Sequence, residues 1–109
     1  MTPHRFDIVL VNLDPVIGSE MAKKRPAVVV SASEMNAALD TVVVCPLTTK
    51  LHPGWRSRVQ ITSVGKRAEI AVDQTRAVSK RRIVRRLGKI TAKSAAELQR
   101  TISEMYGEG

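Results

Sequence analysis

Aromatic residues are scarce: Phe6, Trp55 and Tyr106 are the whole complement among 109 residues. The core must therefore be aliphatic, and modules that read RNA by stacking several bases on aromatic platforms fit poorly. Cysteine is rarer still. A single Cys45 leaves no disulfide framework, and His4 and His52 stand too far apart to give a metal-ligand spacing. Cys45 lies inside an apolar run and reads as a small buried hydrophobe. No apolar stretch reaches the roughly eighteen residues of a membrane span, and the start shows no signal-peptide pattern, so a soluble cytoplasmic protein with no membrane partner is expected. Repeats, low-complexity tracts and linkers are also missing. The length suits one domain, 1–109, with a single modest core.

Positive charge, by contrast, is plentiful and unevenly placed. The net charge is +8, yet Lys50 to Arg100 alone holds fourteen basic residues against Glu69, Asp73 and Glu97, a local net of +11. A solvated face usually mixes signs, so an excess this one-sided points to a polyanion such as nucleic acid, an acidic protein segment or both.

Apolar patterning gives a chain of short strands. Ile8 to Leu13 and Ala27 to Val30 read as strands, with Asp14-Pro15 and Gly18 as breakers between them. Ser33 to Leu39 suits a short helix. Thr41 to Leu47 is apolar on both parities, which predicts a strand buried on both faces, with Pro46 ending its regular pairing. Arg58 to Thr62 alternates, Gly65 marks a turn, and Ala68 to Gln74 alternates with Ile70 and Val72 on one face and Glu69, Ala71 and Asp73 on the other. Ser79 to Arg86 carries five cations in eight residues and is expected as a short helical turn running into the strand Leu87 to Ile90. Ser94 and Glu97 have capping-box spacing, and Ala95, Leu98, Ile102, Met105 and Tyr106 form the apolar stripe of a terminal helix ended by Gly107. The fold class expected is mainly β with some helix, a small barrel or strongly bent antiparallel sheet with a C-terminal helix.

The chemistry-bearing residues cluster around the first loop and its neighbours. Arg25 precedes Pro26, which biases it to extended backbone at the mouth of a strand, a fixed place from which a guanidinium can receive a phosphate. Thr48, Thr49 and Lys50 stand at the exit of the third strand. Taken in order, Asp14-Pro15, Gly18-Ser19-Glu20, Arg25 to Ser31, Pro46-Leu47-Thr48-Thr49 and Val72-Asp73-Gln74-Thr75-Arg76 resemble the MazF/PemK toxins of bacterial toxin–antitoxin pairs. The likeness runs from Asp7 to the terminal helix.

That resemblance implies an SH3-like barrel with appended helices and a homodimer that needs no cofactor. It implies a metal-independent endoribonuclease that cuts single-stranded RNA, chiefly mRNA, at short sequences, and a cognate antitoxin whose acidic tail covers the groove. Carried over, the catalytic arginine falls on Arg25, the catalytic threonine on Thr48, and Glu20 matches a loop carboxylate. Ser19, Lys24, Thr49, Lys50, Asp73 and Gln74 are expected to bind substrate. Glu20 is the first candidate base and Asp73 the second, because an arginine is too weak a base to take the proton.

Plainer roles stand beside these. Arg25 could pair with Glu20 or Asp14, Glu20 could simply orient Arg25, Thr48 could end a strand and Asp73 could cap a turn. His52, in a Pro/Gly loop, reads as a solvated surface group. Trp55 is either core filler or an aromatic able to stack on a base beside Arg56 and Arg58. The chain also departs from relatives. Met21 to Lys24 replace a loop richer in glycine, and Ala71 stands where some relatives have a second arginine, so a mechanism using that arginine as acid does not carry over directly. The alternative functions are a CcdB-like gyrase poison, disfavoured because the chain ends Met105-Tyr106-Gly107-Glu108-Gly109 without a tryptophan, and a non-catalytic basic RNA-binding module.

Overall fold

β-Branched and aliphatic residues on alternating positions build this protein around one curled antiparallel sheet. The structure, a computed structural model, describes residues 2–13, 23–63 and 65–107. In chain order the elements are β1 (Asp7–Asn12), β2 (Lys24–Val29), α1 (Ser33–Ala38), β3 (Thr41–Thr48), β4 (Arg58–Ser63), β5 (Lys66–Ala71), β6 (Arg76–Ser79), β7 (Ile83–Lys89) and α2 (Ala92–Tyr106), with 3-10 turns at Val72–Gln74 and Lys80–Arg82. The strands are ordered β4-β5-β3-β2-β1-β7, and β6 pairs with β3 off this path. The strongly bent sheet with a C-terminal helix is thus as expected.

Burial on both faces explains why the central strands are apolar on both parities. Ile8, Val28 and Cys45 point to one side, where Val59 and Ile70 of the β4–β5 hairpin and Ala95 and Leu98 of α2 complete a core. Val9, Val11, Ala27, Val29, Val42 and Val44 point to the other, where Val78 of β6 and Ile83 of β7 close over them. The small valine and alanine side chains of the second cluster suit the inside of a tight curl. No helix among the described residues is long and apolar enough to cross a membrane.

Several boundaries differ from the sequence reading. β2 begins at Lys24 rather than Ala27, because β1 offers it partners as far as Asn12↔Lys24. Pro46 does not end the pairing of β3; it marks a change of partner. Before it, β3 pairs with β2 and β6; after it, Leu47↔Ile70 and Thr48↔Glu69 join β5. The stretch Ala68 to Gln74 is not one alternating strand. β5 stops at Ala71, and both the hydroxyl and the N–H of Thr75 donate to the Val72 carbonyl, at 2.6 and 3.2 Å, closing a 3-10 turn.

Glu69 and Ala71 are buried instead of facing solvent. The cationic run is mostly strand: its helical part is confined to Lys80–Arg82, and from Ile83 the chain pairs with the open edge of β1. α2 starts a turn early, its N-cap being Thr91, whose hydroxyl accepts the Ser94 N–H at 3.1 Å. Ser94 is therefore inside the first turn and caps nothing as the expected Ser94–Glu97 box required. Gly65 (φ +73°) serves the tight β4–β5 connection between the paired Ser63 and Lys66.

Leu98 is fully buried under the sheet, so replacing it tests whether α2 is an integral part of the core. Leu98→Ala is expected to lower unfolding stability by about 2–5 kcal/mol, read from the midpoint shift in a denaturant titration. A change within about 0.5 kcal/mol, the range of ordinary surface substitutions, would show that the helix does not carry the core.

Candidate active site

The two leading candidates, Arg25 and Thr48, meet where β3 leaves β2: Ala27 pairs with Pro46, Val28 with Cys45 and Val29 with Val44, and beyond Pro46 the strand turns to β5. Both side chains line two neighbouring cavities. The larger, ≈ 630 Å³, is completed by Pro26, Leu47, Thr49, Lys50, Ser63, Lys66 and Ala68. The smaller, ≈ 440 Å³, is completed by Leu13, Pro46, Leu47, Gln74 and Arg76. Arg25 and Thr48 thus form the ridge between two halves of one cleft.

The cleft is cationic. Arg25, Lys50, Lys66 and Arg76 line it, and no described acidic residue does. Arg25 is exposed and forms no ion pair among the described residues. The Thr48 hydroxyl oxygen accepts the Lys50 N–H at 3.0 Å, which leaves its own proton free to donate into the cleft. Anion recognition by a fork-shaped guanidinium and a hydroxyl donor is what this arrangement supports.

The remaining candidates divide. Thr49, Lys50 and Gln74 line the cleft, whereas Lys24 is exposed at the start of β2 and lines neither half. Ser19 and Glu20, with Asp14 to Ala22 as a whole, lie outside the described residues. Asp73 sits on the 3-10 turn beside Gln74 but lines neither half, its carboxylate receiving Arg58 Nε at 2.8 Å. Arg76 and Lys66 were not singled out in the sequence, although Arg76 belongs to the run that follows Asp73-Gln74.

A buried charge network beneath the cleft was also missed. Glu69 is fully buried; its Oε1 accepts Arg58 Nη1 at 3.1 Å, and its Oε2 accepts Gln60 Nε2 at 2.6 Å and the His52 N–H at 2.7 Å. Glu69 is also the β5 partner of Thr48, so the network adjoins the strand end that lines the cleft. Burial alone pushes the Glu69 carboxyl up, but the Gln60 amide, the His52 N–H and the Arg58 guanidinium outweigh it and hold it below the usual glutamate range. Burial likewise acts upward on Asp73, and hydrogen bonds from Arg58 and Ser57 win, holding it low. Asp73 raises Arg58 in turn, against the effect of burial. The signal available in the sequence was the hairpin at Gly65, whose register puts Gln60 opposite Glu69.

Carboxyls held low in the folded state bind protons more readily once unfolded, so their stabilisation is present above about pH 4, the unfolded range for Asp and Glu, and drains away as pH falls through the folded values. Stability should therefore decline on acidification below about pH 4, with a shallower slope in Glu69→Gln, as measured by urea titrations across pH. At neutral pH, Glu69→Ala is expected to cost about 3–5 kcal/mol, because it leaves a guanidinium buried with one partner fewer.

Comparison with known proteins supports the resemblance over nearly the whole chain. The family described as the PemK-like, MazF-like toxin of type II toxin–antitoxin systems matches residues 4–106. Endoribonuclease MazF9 of Mycobacterium tuberculosis is 31% identical over 108 residues, covering 90% of this chain and 91% of that protein. Among solved structures, MazF of Deinococcus radiodurans superposes with a TM-score of 0.79 at 24% identity, covering 99% of both chains. A mycobacterial endoribonuclease in complex with its cognate antitoxin superposes with a TM-score of 0.82 at 18% identity, covering 98% of this chain and 97% of that one. With its fold, its cationic cleft and a family match across residues 4–106, this chain belongs to the PemK-like, MazF-like toxins of type II toxin–antitoxin systems.

Proposed function

We propose that this chain is an endoribonuclease toxin that cuts single-stranded RNA in the cleft at Arg25 and Thr48. The observation that carries the reading is the meeting of an exposed guanidinium and a hydroxyl donor on one ridge of a cleft lined by cations alone among the described residues. The relative named an endoribonuclease adds support, as do the structures of MazE–MazF from Deinococcus radiodurans and of a mycobacterial endoribonuclease with its cognate antitoxin. The same reading makes the protein a homodimer, and gives it an antitoxin whose acidic segment competes for the cationic cleft.

RNA supplies its own nucleophile. The ribose 2′-OH loses its proton and attacks the adjacent phosphorus in line; the P–O5′ bond breaks, leaving a 2′,3′-cyclic phosphate and a protonated 5′-OH. Arg25 binds the non-bridging oxygens and strengthens its hold as the phosphorane gains charge, and it is placed to donate to the departing 5′ oxygen. Thr48 donates its free proton to the same phosphorane. Groups of this kind contribute about 10²–10³-fold each when aimed at developing charge. The proton of the 2′-OH goes to a carboxylate, for which Glu20 is the candidate; Asp73 is a poor base, since Arg58 already holds it charged. Lys50, Lys66 and Arg76 hold flanking phosphates, with Thr49 and Gln74 hydrogen-bonding the strand between them.

Incubation with a long RNA should produce discrete cuts whose 5′ ends carry hydroxyl groups, mapped by primer extension, and EDTA should not change them. Arg25→Ala should lower cleavage by about 10²-fold or more while leaving the unfolding midpoint in place. Thr48→Val should lose about 10-fold or more, and Thr48→Ser should retain most activity. A 2′-deoxy residue at the scissile position should abolish cutting. Binding without any cutting would favour a non-catalytic RNA-binding module, and full activity of folded Arg25→Ala would remove that residue from the mechanism.

A further inference from the structure

The chain's sole tryptophan, Trp55, is 49% exposed in the loop between β3 and β4. An exposed aromatic on a loop ordinarily samples several rotamers, but this one is held. The His52 imidazole stacks on it with ring centroids 3.9 Å apart and planes 11° from parallel, and the Arg58 guanidinium lies 4.7 Å from its centroid. Arg58 is itself pinned by Glu69 and Asp73, with only 5% of its side chain exposed. The loop backbone closes on itself, Trp55 N–H donating to the His52 carbonyl at 2.9 Å and Arg58 N–H to the Trp55 carbonyl at 3.3 Å. His52 N–H is anchored on Glu69, the β5 partner of Thr48.

Resting on the endoribonuclease reading, we propose that the His52–Trp55 stack is a subsite for one unpaired nucleobase of the strand whose scissile link lies at Arg25 and Thr48. Position supports this first. The loop leaves directly from Thr48, its Lys50 lines the cleft and its Glu69 anchor lies behind the same strand end, so a strand leaving the cleft along this loop meets the stack. Charge supports it next. Arg56, beside Trp55, has a side chain 89% exposed with Glu104 no closer than 3.8 Å, a contact of little energy at such exposure and one that leaves the guanidinium able to meet a phosphate. Chemistry supports it last. The indole already carries the imidazole and the guanidinium over its ring, so a base extends the stack on the outer face of His52, which is only partly buried. Any base suits, because every base has a π-face, and a stack already held loses little side-chain freedom on binding. A single platform also agrees with the shortage of aromatics: one base is stacked here, not a series.

The test uses the full-length protein and a labelled single-stranded 2′-deoxy oligonucleotide of mixed sequence, about ten nucleotides long, which lacks the attacking hydroxyl and so is not cut. Binding is read by anisotropy and, independently, by the fluorescence of Trp55. The strand should perturb that fluorescence at saturation. Trp55→Ala should weaken binding about tenfold or more, and Trp55→Phe, which keeps a stacking ring, should weaken it far less.

In a scan of abasic nucleotides, one position should lose the same factor in the wild type and nothing further in Trp55→Ala, the signature of direct coupling. Losses that add at every position, or Trp55→Ala affinity within about twofold of wild type, would overturn the subsite. So would failure of the strand to bind the wild type, or an Asp/Glu-rich peptide perturbing Trp55 where the strand does not; the last result assigns the platform to the antitoxin. Cleavage of long RNA is scored separately, so loss of the subsite and loss of the endoribonuclease reading remain distinct.

Discussion

A single buried ion pair, Arg58–Glu69, ties β4 and β5 to the loop and the turn that flank the cleft. Removing two charges from water costs several kcal/mol per ion unless hydrogen bonds and close geometry repay it. Here the repayment is specific. The Glu69 carboxylate receives a guanidinium N–H, an amide N–H from Gln60 and a backbone N–H from His52, while Arg58 gives a second donor to Asp73. The partners come from four parts of the chain: Arg58 and Gln60 from β4, Glu69 from β5, His52 from the β3–β4 loop and Asp73 from the 3-10 turn that carries Gln74. Among the described residues no buried side-chain polar atom is left without a partner. Apolar packing could hold these segments together, but it is indifferent to small slides; directional bonds to one carboxylate set their mutual position.

That rigidity matters because the proposed chemistry is electrostatic. An arginine and a threonine hydroxyl carry out no covalent step of their own; their value lies in being already in place when charge builds on phosphorus, so that nothing must reorganise at that moment. Arg25 gains its placement from β2, where it pairs with Val11 of β1, and Thr48 from β3, where it pairs with Glu69 of β5. The hydroxyl's polarity is fixed by the Lys50 N–H, which occupies an oxygen lone pair. Keeping acidic groups off the described walls serves the same end. Asp73, next to Gln74 in sequence, lines neither half of the cleft and is held by Arg58.

Much of this was legible in the residues. The β-branched runs, the breakers around Gly65 and the helical stripe from Ala95 to Tyr106 marked the strands and α2, because each rests on a local periodicity. What escaped depends on partners distant in sequence. Pro46 reads locally as a stop, yet it is where β3 exchanges β2 for β5. Ile83 to Arg86 read as a cationic turn because nothing local reveals that β1 has an open edge to fill. Glu69 lay on a polar parity and so looked solvated; its burial follows only from the loop that folds over it. For the site, Arg25 and Thr48 came from the family pattern, whereas their meeting at one cleft depends on strands distant in sequence that no single segment displays.

The strong basic excess of the second half likewise divides by structure rather than by composition. Arg76, Lys50 and Lys66 face the cleft, where an anion is expected. Arg85, Arg86 and Lys89 lie on β7, at the end of the strand order, where Val84 and Leu87 are also exposed. A strand edge bearing apolar side chains invites pairing with other chains, and alternating it with cations discourages that association. Arg86 adds a second duty, bonding the buried carboxylate of Asp7 at 3.0 Å across the β1–β7 ladder. The same residue type thus lines the cleft, alternates with apolar side chains along β7 and secures a strand at Asp7. Net charge points to a polyanion partner, and the direction each cation faces decides which of them meets it.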